Sequence, residues 1–312
     1  MKHSLLDHLV CPSCKQSLEL EVVQEERGQV RSGLLRCSLK GCQFPISNFV
    51  PRFVDEDLYA DSFSRQRLYV RRHFKYYERD QSGYELLHTS TGFSREAFKA
   101  GLTLEVGCGY GRFVDVVHSY GGEVVGVDLS THSINLAQDF VGLKKNVHLI
   151  QCDLYQLPFR EECFDRIYSI GVLHHTPNPR DAFQAIVPYL VKNGQISIWV
   201  YPPEMKRSSN RWRRLTTKLP HSVLYVWCII NQAVFSWVRR LPGGWRFNSL
   251  VPGCVPRKGK PFWLRVMSDF DDLSPMHAST HLNEEVGTWF QDSCLQSIRV
   301  LSRPTSLTGV RG

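Results

Sequence analysis

The chain has 312 residues, of which 42% are hydrophobic and 22% charged, with ten cysteines and a net charge of +8. This composition is that of an ordinary globular protein, and the length suffices for one large domain and one small one. The first ten residues carry charges at Lys2 and Asp7 and contain no apolar core, so we expect no secretion signal and a cytoplasmic protein. Disulfides are then disfavoured, and single cysteines in apolar runs are interpreted as buried thiols.

Two cysteine pairs mark residues 1–54 as a small, loop-rich module. Cys11 and Cys14 form the first pair, and Cys37 and Cys42 form the second. Four thiolates suit the tetrahedral coordination of Zn²⁺, and a turn at each pair presents its two sulfurs together. The spacing therefore predicts a zinc-binding domain, with four unliganded thiols as the alternative.

This module resembles the zinc ribbons of small activator proteins that partner tRNA methyltransferases, which also occur fused ahead of some bacterial methyltransferases. The resemblance rests on the cysteine pairs, on Leu18 and on the segment Phe44–Phe53. It implies a closed, structural zinc site without an open position for a substrate. We expect the ribbon to stabilise the protein or to present a surface.

Beyond a connector at residues 55–98, with helical spacing around Phe63–Tyr77, the pattern changes to short β-rich runs that alternate with helix-like stretches. The runs are Leu102–Val106, Glu123–Val127, Val147–Ile150, Asp165–Ile170 and Gln195–Val200. Strands separated by amphipathic helices predict a parallel sheet with right-handed crossovers.

The C-terminal part predicts a helix at Asn283–Asp292, with Asn283 as its N-cap, and a closing pair of strands. These strands are expected at Leu295–Leu301 and Ser306–Val310. The predicted fold class is α/β, a Rossmann-like doubly wound and mostly parallel seven-stranded sheet with the small N-terminal ribbon. Residues 99–200 and 263–312 are expected to form the sheet domain.

A glycine-rich loop and an acidic residue follow the first two predicted strands. Gly107, Gly109 and Gly111 read G-x-G-x-G, Glu105 precedes them, and Asp128 ends the second strand. A dinucleotide loop needs G-x-G-x-x-G to seat a pyrophosphate, which disfavours a dehydrogenase. An acid at Glu105 suits the cationic cofactor S-adenosylmethionine, and Asp128 lies where a carboxylate accepts ribose hydroxyls.

At this point the sequence resembles class I methyltransferases of the group that includes quinone-biosynthesis enzymes. The matching segments, in order, are Glu105–Gly111, Asp128, Cys152–Leu154, Phe164–His175 and Leu190–Gln195, the last of which matches the turn into the fifth strand. The resemblance implies that Asp153 lies near the adenine amino group and that Leu154 packs on the ring. Leu129 and Ile170, which adjoin these motifs, are expected to contact the same cofactor.

Two histidines, His174 and His175, follow the fourth strand at the edge of the sheet where ligands bind in such folds. Methyl transfer from a sulfonium mainly requires alignment of the acceptor, and a base is needed only if the acceptor must lose a proton. One histidine can therefore contact the cofactor or act as a base. The alternative, which we favour, is that both shape the loop by hydrogen bonding.

Residues 201–262 form a basic, aromatic insertion after the fifth strand. Residues 204–262 contain twelve Lys/Arg and a single acid, Glu204. The segment Val223–Val238 is apolar and has basic flanks, but it is too short to span a bilayer. Three interpretations stay open: a lid over the active site, peripheral membrane or lipid contact through residues 204–240, and RNA binding.

The sequence as a whole favours a methyltransferase that acts on a small-molecule or lipid-linked metabolite. The fourth strand ends in Ile170-Gly-Val-Leu-His-His and not in the motif associated with methylation of exocyclic base amines. An RNA methyltransferase that docks RNA through its zinc ribbon is the first alternative. A non-catalytic protein that binds S-adenosylmethionine and other partners is the second.

Overall fold

The structure is a computed structural model, and it describes residues 1–54, 82–235 and 261–312. The helix expected around Phe63–Tyr77 lies outside the described residues, as does the basic insertion between residues 236 and 260. The described residues form an N-terminal module, a larger α/β domain and a helical cap.

The N-terminal module is a four-stranded antiparallel sheet that follows a short 3-10 helix at His3–His8. Its strands are β1 Leu18–Glu26, β2 Gln29–Cys37, β3 Gln43–Ser47 and β4 Val50–Pro51. Leu35 and Cys37 are buried while Arg36 between them is exposed, as the two-residue period of a strand requires. One face of this small sheet is thus available for packing against the rest of the protein.

Seven strands form the central sheet, in the order β10-β11-β9-β8-β5-β6-β7. They are β5 Leu102–Val106, β6 Glu123–Asp128, β7 Val147–Gln151, β8 Phe164–Ile170, β9 Leu190–Trp199, β10 Leu295–Val300 and β11 Ser306–Arg311. Strands β5 to β9 are parallel, and β11 runs antiparallel to both of its neighbours, β9 and β10. The predicted α/β class and the closing strand pair are confirmed. The strand order reverses between β5 and β8, which opens a crevice at the carboxyl edge.

Nine helices are present in the described ranges. They are α1 Ser82–Thr91, α2 Arg95–Lys99, α3 Arg112–Ser119, α4 Thr131–Val141, α5 Pro179–Ile186, α6 Pro203–Thr216, α7 His221–Ile230, α8 Phe262–Leu273 and α9 Asn283–Asp292. Local sequence explains where several begin. Ser130 caps α4 by accepting the N–H of Ser133, and Asn178 caps α5, whose first residue is Pro179.

Strand β9 begins earlier than the sequence predicts. The stretch that starts at Leu190 was expected to be a turn, but Leu190 already pairs with Phe164 of β8. A register shift follows this pair, and Asn193 adopts a positive φ of 62°. The turn signal in the sequence therefore belongs to an irregularity inside the strand.

The helix α9 has the predicted bounds, but the expected N-cap is wrong. Leu282 occupies the cap position, and Asn283 is the first helical residue. The side-chain oxygen of Asn283 instead accepts the N–H of Thr305, at 3.0 Å. A tertiary contact to the loop before β11 thus replaces the local capping bond.

The N-terminal module and the central sheet share one hydrophobic core. Leu9 forms an antiparallel bridge with Phe159, and Arg52 forms a parallel bridge with Gln151 at the end of β7. The N–H of Phe53 donates to the carbonyl of Gln151, at 2.8 Å. The module therefore docks against the β7 edge of the sheet and the loop that follows it.

Helices α6, α7 and α8 form the helical cap, defined here as residues 203–235 and 262–273, and a π-helical turn, Asn231–Phe235, continues α7. The cap has its own small core, made by Leu224 and Cys228 of α7 and by Val266, Phe270 and Leu273 of α8. Among the helices that the structure describes, none combines the length and hydropathy that crossing a bilayer requires.

Candidate active site

A cavity of about 350 Å³ lies at the carboxyl edge of the sheet, where the strand order reverses. This volume is in the range of sites for small molecules and cofactors. The predicted site residues that line it are Glu105, Gly107, Gly109, Asp128, Leu129, Leu154, Ile170 and His175. Helix α8 closes the cavity from the cap side. The structure thus brings together most of the residues that the motifs singled out.

Glu105 ends the buried strand β5 and is itself only 2% exposed. Its carboxylate accepts a hydrogen bond from the hydroxyl of Tyr168, at 2.9 Å. Burial raises the pKa of the Glu105 carboxyl well above its ordinary value, and the nearby charge of Asp128 raises it further. A cationic ligand in the cavity would reverse this effect, because it stabilises the carboxylate.

Asp128 joins the glycine-rich loop to the end of β6. One oxygen of its carboxylate accepts the N–H of Gly109, at 2.7 Å, and the other accepts the N–H of Ser130, at 2.8 Å. The same side chain lines the cavity. Asp128 therefore holds the loop in shape and presents carboxylate oxygens to a ligand.

The glycines at the start of α3 are required by contacts within the protein. Gly107 and Gly111 adopt positive φ values of 78° and 86°. A Cβ at Gly107 would lie 2.4 Å from the Val172 side chain, and one at Gly111 would lie 2.8 Å from Val141 of α4. Gly107 lines the cavity, whereas Gly111 fits the start of α3 against α4.

Asp153 and Leu154, which the sequence resemblance expects beside an adenine, follow strand β7. Asp153 accepts the N–H of Tyr155, at 3.1 Å, and so caps a short 3-10 turn, Leu154–Gln156. The side chain of Leu154 lines the cavity, whereas Asp153 is not among the lining residues. The structure therefore places Asp153 next to a lining residue in the chain but not in the lining itself.

The two histidines after β8 have different surroundings. His174 is buried and packs between the rings of Tyr201 and His175, with centroid distances of 3.7 Å and 4.1 Å. His175 lines the cavity, and its Nδ1 bonds to the carbonyl of His277, at 2.9 Å. Because a carbonyl only accepts, Nδ1 carries the proton, and Nε2 is then the acceptor of the neutral ring.

Several cavity residues carry no motif signal in the sequence. They are Trp199 and Tyr201 after β9, and Met267, Ser268 and Asp271 of α8. Trp199 is held by a hydrogen bond from its indole N–H to the carbonyl of Pro304, at 3.1 Å, and the Arg303 guanidinium lies over its ring. The one feature of the sequence that could have indicated a site role for Trp199 is its position at the carboxyl end of a predicted strand.

A buried arginine fixes the end of α8 beside the cavity. The Arg213 guanidinium donates to the carbonyl of Asp272, at 2.9 and 3.1 Å, and to that of Ala278, at 2.9 Å. Neither Asp272 nor the nearby His281 lines the cavity. His281 bonds instead to Ser279 and Glu285.

Three of the four predicted zinc ligands meet at one end of the N-terminal module, and the fourth, Cys42, lies outside this close group but interacts with Cys11. The thiol sulfurs of Cys11, Cys14 and Cys37 all lie within 4.8 Å of one another, and those of Cys14 and Cys37 are 3.4 Å apart. Burial and the neighbouring Cys11 thiol raise the pKa of Cys42. A hydrogen bond from the backbone N–H of Lys40 lowers the pKa of Cys37 to about 7. Thiolates around one zinc lie about 3.8 Å apart, so the cluster fits this ion.

Comparison with known proteins adds a family match. Residues 104–198 match the methyltransferase domain family. The match runs from the residue before Glu105 to the end of β9, so it contains Asp128, Asp153 and both histidines. The N-terminal module and the cap lie outside it.

Curated relatives share this same part of the chain. The probable tRNA methyltransferase 9B of Homo sapiens is 33% identical over 120 residues, which cover 36% of this chain and 24% of that protein. The tRNA U34 carboxymethyltransferase of Psychromonas ingrahamii is 33% identical over 97 residues, with 30% and 29% covered. The aligned part of this chain thus spans less than a third of either relative.

A solved structure matches over a longer part of the chain. It is the S-adenosylmethionine-dependent methyltransferase of Thermotoga maritima, described as a possible histamine N-methyltransferase. The alignment covers 79% of this chain and all of the other, at 12% identity and a TM-score of 0.45.

Proposed function

We propose that this chain is a class I S-adenosylmethionine-dependent methyltransferase, acting through the domain at residues 104–198, and that it transfers the methyl group of that cofactor to RNA. The main support for this proposal is the cavity between the glycine-rich loop and the cap. A buried carboxyl at Glu105 and a loop-bound carboxylate at Asp128 line it together. The lining contains three acids, Glu105, Asp128 and Asp271, against one basic residue, Arg112, and this excess of acids suits a cationic cofactor better than a pyrophosphate.

The residues present fit S-adenosylmethionine at one end of the cavity. Glu105 lies where it can balance the positive charge of the cofactor, and Asp128 can accept hydrogen bonds from the ribose hydroxyls. Leu129, Leu154 and Ile170 supply apolar surface for the adenine. When bound, the cofactor supplies an activated methyl group, so the protein needs to position the acceptor and to exclude water.

The acceptor end of the cavity is formed by Trp199, Tyr201, His175 and Asp271. Aromatic side chains suit a planar acceptor, because a ring can stack on them. The neutral His175 ring presents Nε2 as a hydrogen-bond acceptor, and Asp271 offers a carboxylate. Either group can take the proton of a hydroxyl or amine acceptor, whereas an acceptor without such a proton needs only alignment.

The names of the relatives support RNA as the acceptor over the small molecule that the sequence motifs favoured. Two relatives that match this domain are described as acting on tRNA. The aromatic acceptor end suits a nucleobase that has been turned out of its stack.

A lipid-linked metabolite is the second candidate. It is favoured by the outward face of α7, which is apolar and exposed to solvent. The two candidates differ in the fraction of a cell extract that becomes methylated, so a single experiment separates them.

The test uses S-adenosylmethionine labelled at its methyl group. The purified protein is incubated with the label and, in separate reactions, with total tRNA, a lipid extract and a small-metabolite fraction. We expect label in tRNA, and its loss in Glu105→Gln. The matched control is Glu96→Gln, an exposed glutamate on α2, which should retain activity.

Each other outcome has a defined meaning. Label in the lipid extract would replace RNA by the second candidate while leaving the methyltransferase assignment intact. Cofactor binding without label in any fraction would contradict catalysis and favour a non-catalytic binding protein. Failure to bind S-adenosylmethionine would remove the proposal altogether.

The four cysteines are proposed to hold a structural zinc ion. The clustering of Cys11, Cys14 and Cys37, with Cys42 beside Cys11, supports this, and the site lies apart from the cavity. Four protein thiolates leave no position for a substrate, so the ion would act on stability alone. Metal analysis of the purified protein tests for about one zinc per chain.

A further inference from the structure

Helix α7 and the π-helical turn after it contain no charged side chain. The fifteen residues His221–Phe235 include no Lys, Arg, Asp or Glu. On the inward face, Leu224 and Cys228 are fully buried against Val266 and Phe270 of α8. Packing within the cap therefore explains the apolar residues on this face of α7. It does not explain the apolar residues on the opposite face.

The opposite face of α7 is apolar and open to solvent. We define the outer stripe as Leu215, Leu219, Val223, Val226, Ile230 and Val234. These side chains are between 42% and 61% exposed. Their spacing of three or four residues places the members on α7 along one side of the helix. A surface helix ordinarily carries polar residues there, and a contiguous apolar patch marks a site of interaction.

Positive charge borders the outer stripe. Arg214 and Lys218 are exposed and lie next to Leu215 and Leu219 in the chain. The surrounding sequence, residues 205–262, contains twelve Lys/Arg and no acid. An aliphatic stripe with basic flanks is typical of a helix that lies in the interface of an anionic membrane.

The dimensions agree with lying on a membrane and not crossing it. Fifteen helical residues extend about 22 Å, whereas a spanning helix needs about 30 Å. RNA explains the cations but not the stripe, because Val, Ile and Leu side chains offer neither stacking nor hydrogen bonds to bases. The combination of both features therefore favours lipid over RNA as the partner of this surface.

We propose that the outer stripe docks on the surface of a membrane that contains anionic lipid. Helix α8 lies between α7 and the cavity: Val266 and Phe270 pack towards α7, and Met267 and Asp271 line the cavity. Docking through α7 then holds the acceptor end of the cavity one helix layer from the lipid. This surface is independent of the acceptor proposed above.

The test is flotation of the full chain with vesicles. Vesicles of equal parts phosphatidylcholine and phosphatidylglycerol are compared with pure phosphatidylcholine, in the presence of S-adenosylhomocysteine. We expect binding to the anionic vesicles, weakened at least about tenfold by the double variant Val226→Asp with Ile230→Asp. Lys218→Glu with Arg214→Glu should lower binding to anionic vesicles. The binding that is left should depend on salt no more strongly than that of the wild-type chain.

The matched control is Val23→Asp, because Val23 is 74% exposed on the N-terminal module and should not contribute to docking. A milder pair, Val226→Gln with Ile230→Gln, serves if the aspartates disturb α7, and circular dichroism checks the helix content of each variant. Cofactor binding is measured alongside, so that loss of docking is distinguished from failure of the proposed function.

Three outcomes would overturn the proposal. The first is that the wild-type chain does not float with anionic vesicles. The second is that Val23→Asp weakens binding as much as the stripe variants do. The third is that Val226→Asp abolishes self-association or binding of total tRNA while vesicle binding is unchanged, which would assign the stripe to that other partner.

Discussion

The N-terminal module and the helical cap are attached to the same sheet in different ways. The module shares the hydrophobic core of the sheet, and its chain bridges to β7 through Arg52. The cap has a separate core of a few side chains between α7 and α8. Buried Arg213 joins two cap helices by donating to the carbonyl of Asp272, and joins the cap to the segment after it by donating to the carbonyl of Ala278. We infer that the module sets the stability of the fold and that the cap sets the shape of the acceptor end.

Breaking the proposed zinc site should have the largest effect. Cys11→Ser removes a buried thiol at the centre of the cluster, and we expect loss of zinc and a melting temperature lower by roughly 10 °C or more. Because the core is shared, the module and the sheet should melt in one transition. Calorimetry checks this, with the exposed Cys294→Ser as control. A sheet domain that melts at its original temperature would contradict the shared core.

Loosening the cap should affect the acceptor and spare the cofactor. Arg213→Leu removes the donors to the carbonyls of Asp272 and Ala278. Since Asp271 and Met267 depend on the position of α8, we expect methyl transfer to fall by about 10- to 100-fold. The affinity for S-adenosylhomocysteine, measured by calorimetry, should change by less than about threefold. Arg299, an exposed arginine on β10, supplies the control Arg299→Leu, and equal losses in both variants would count against a positioning role.

The cofactor end, which belongs to the sheet, should respond to pH. Burial raises the pKa of the Glu105 carboxyl, so the carboxyl keeps its proton at pH values where an exposed glutamate has lost it. A cationic cofactor favours the carboxylate, and its affinity should therefore rise as pH rises, by about tenfold per pH unit, until the raised pKa is passed. Binding titrations across pH measure this. Glu105→Gln should bind weakly and without that dependence, and a parallel pH profile in the variant would exclude Glu105 as its source.

The smallest effect is expected at one lysine side chain that connects the module to the larger domain. The Lys15 ammonium donates to the carbonyl of Leu157 and to the hydroxyl of Tyr189, each at 2.9 Å. Lys15→Met should lower the free energy of unfolding by about 1 kcal/mol, which is a shift of about 2–4 °C in melting temperature. Lys40→Met, at an exposed lysine of the same module, should leave it unchanged. Thermal melts that do not separate the two variants would show that this contact contributes nothing.

Much of the fold was predictable because strand signals in this sequence are local. The runs after Leu102 become parallel strands with nearly the predicted bounds, and the closing pair forms as expected. The errors arise where tertiary contacts override local preference. Asn283 bonds to Thr305 instead of capping its helix, and the apparent turn near Asn193 is absorbed into β9.

The cofactor end of the site was predictable and the acceptor end was not. Glu105 and Asp128 belong to one short stretch of strand, loop and helix, so sequence spacing fixes their relation. Asp271 reaches the cavity from a helix about 140 residues later in the chain. Its position in the cavity depends on how α8 packs within the cap, and no local sequence pattern predicts that packing. Tyr168 was missed because its hydroxyl looks like an ordinary core side chain until its bond to Glu105 is seen.

The bridge between Arg52 and Gln151 has a consequence for solubility. Strand β7 is the last strand of its sheet, and the segment Arg52–Phe53 lies along the end of its open backbone. The other outer strand, β10, is protected differently, by an irregular register and exposed polar side chains. A chain truncated before β5 would therefore leave β7 uncovered and should self-associate through strand pairing, whereas removal of the cap would not expose a strand in this way.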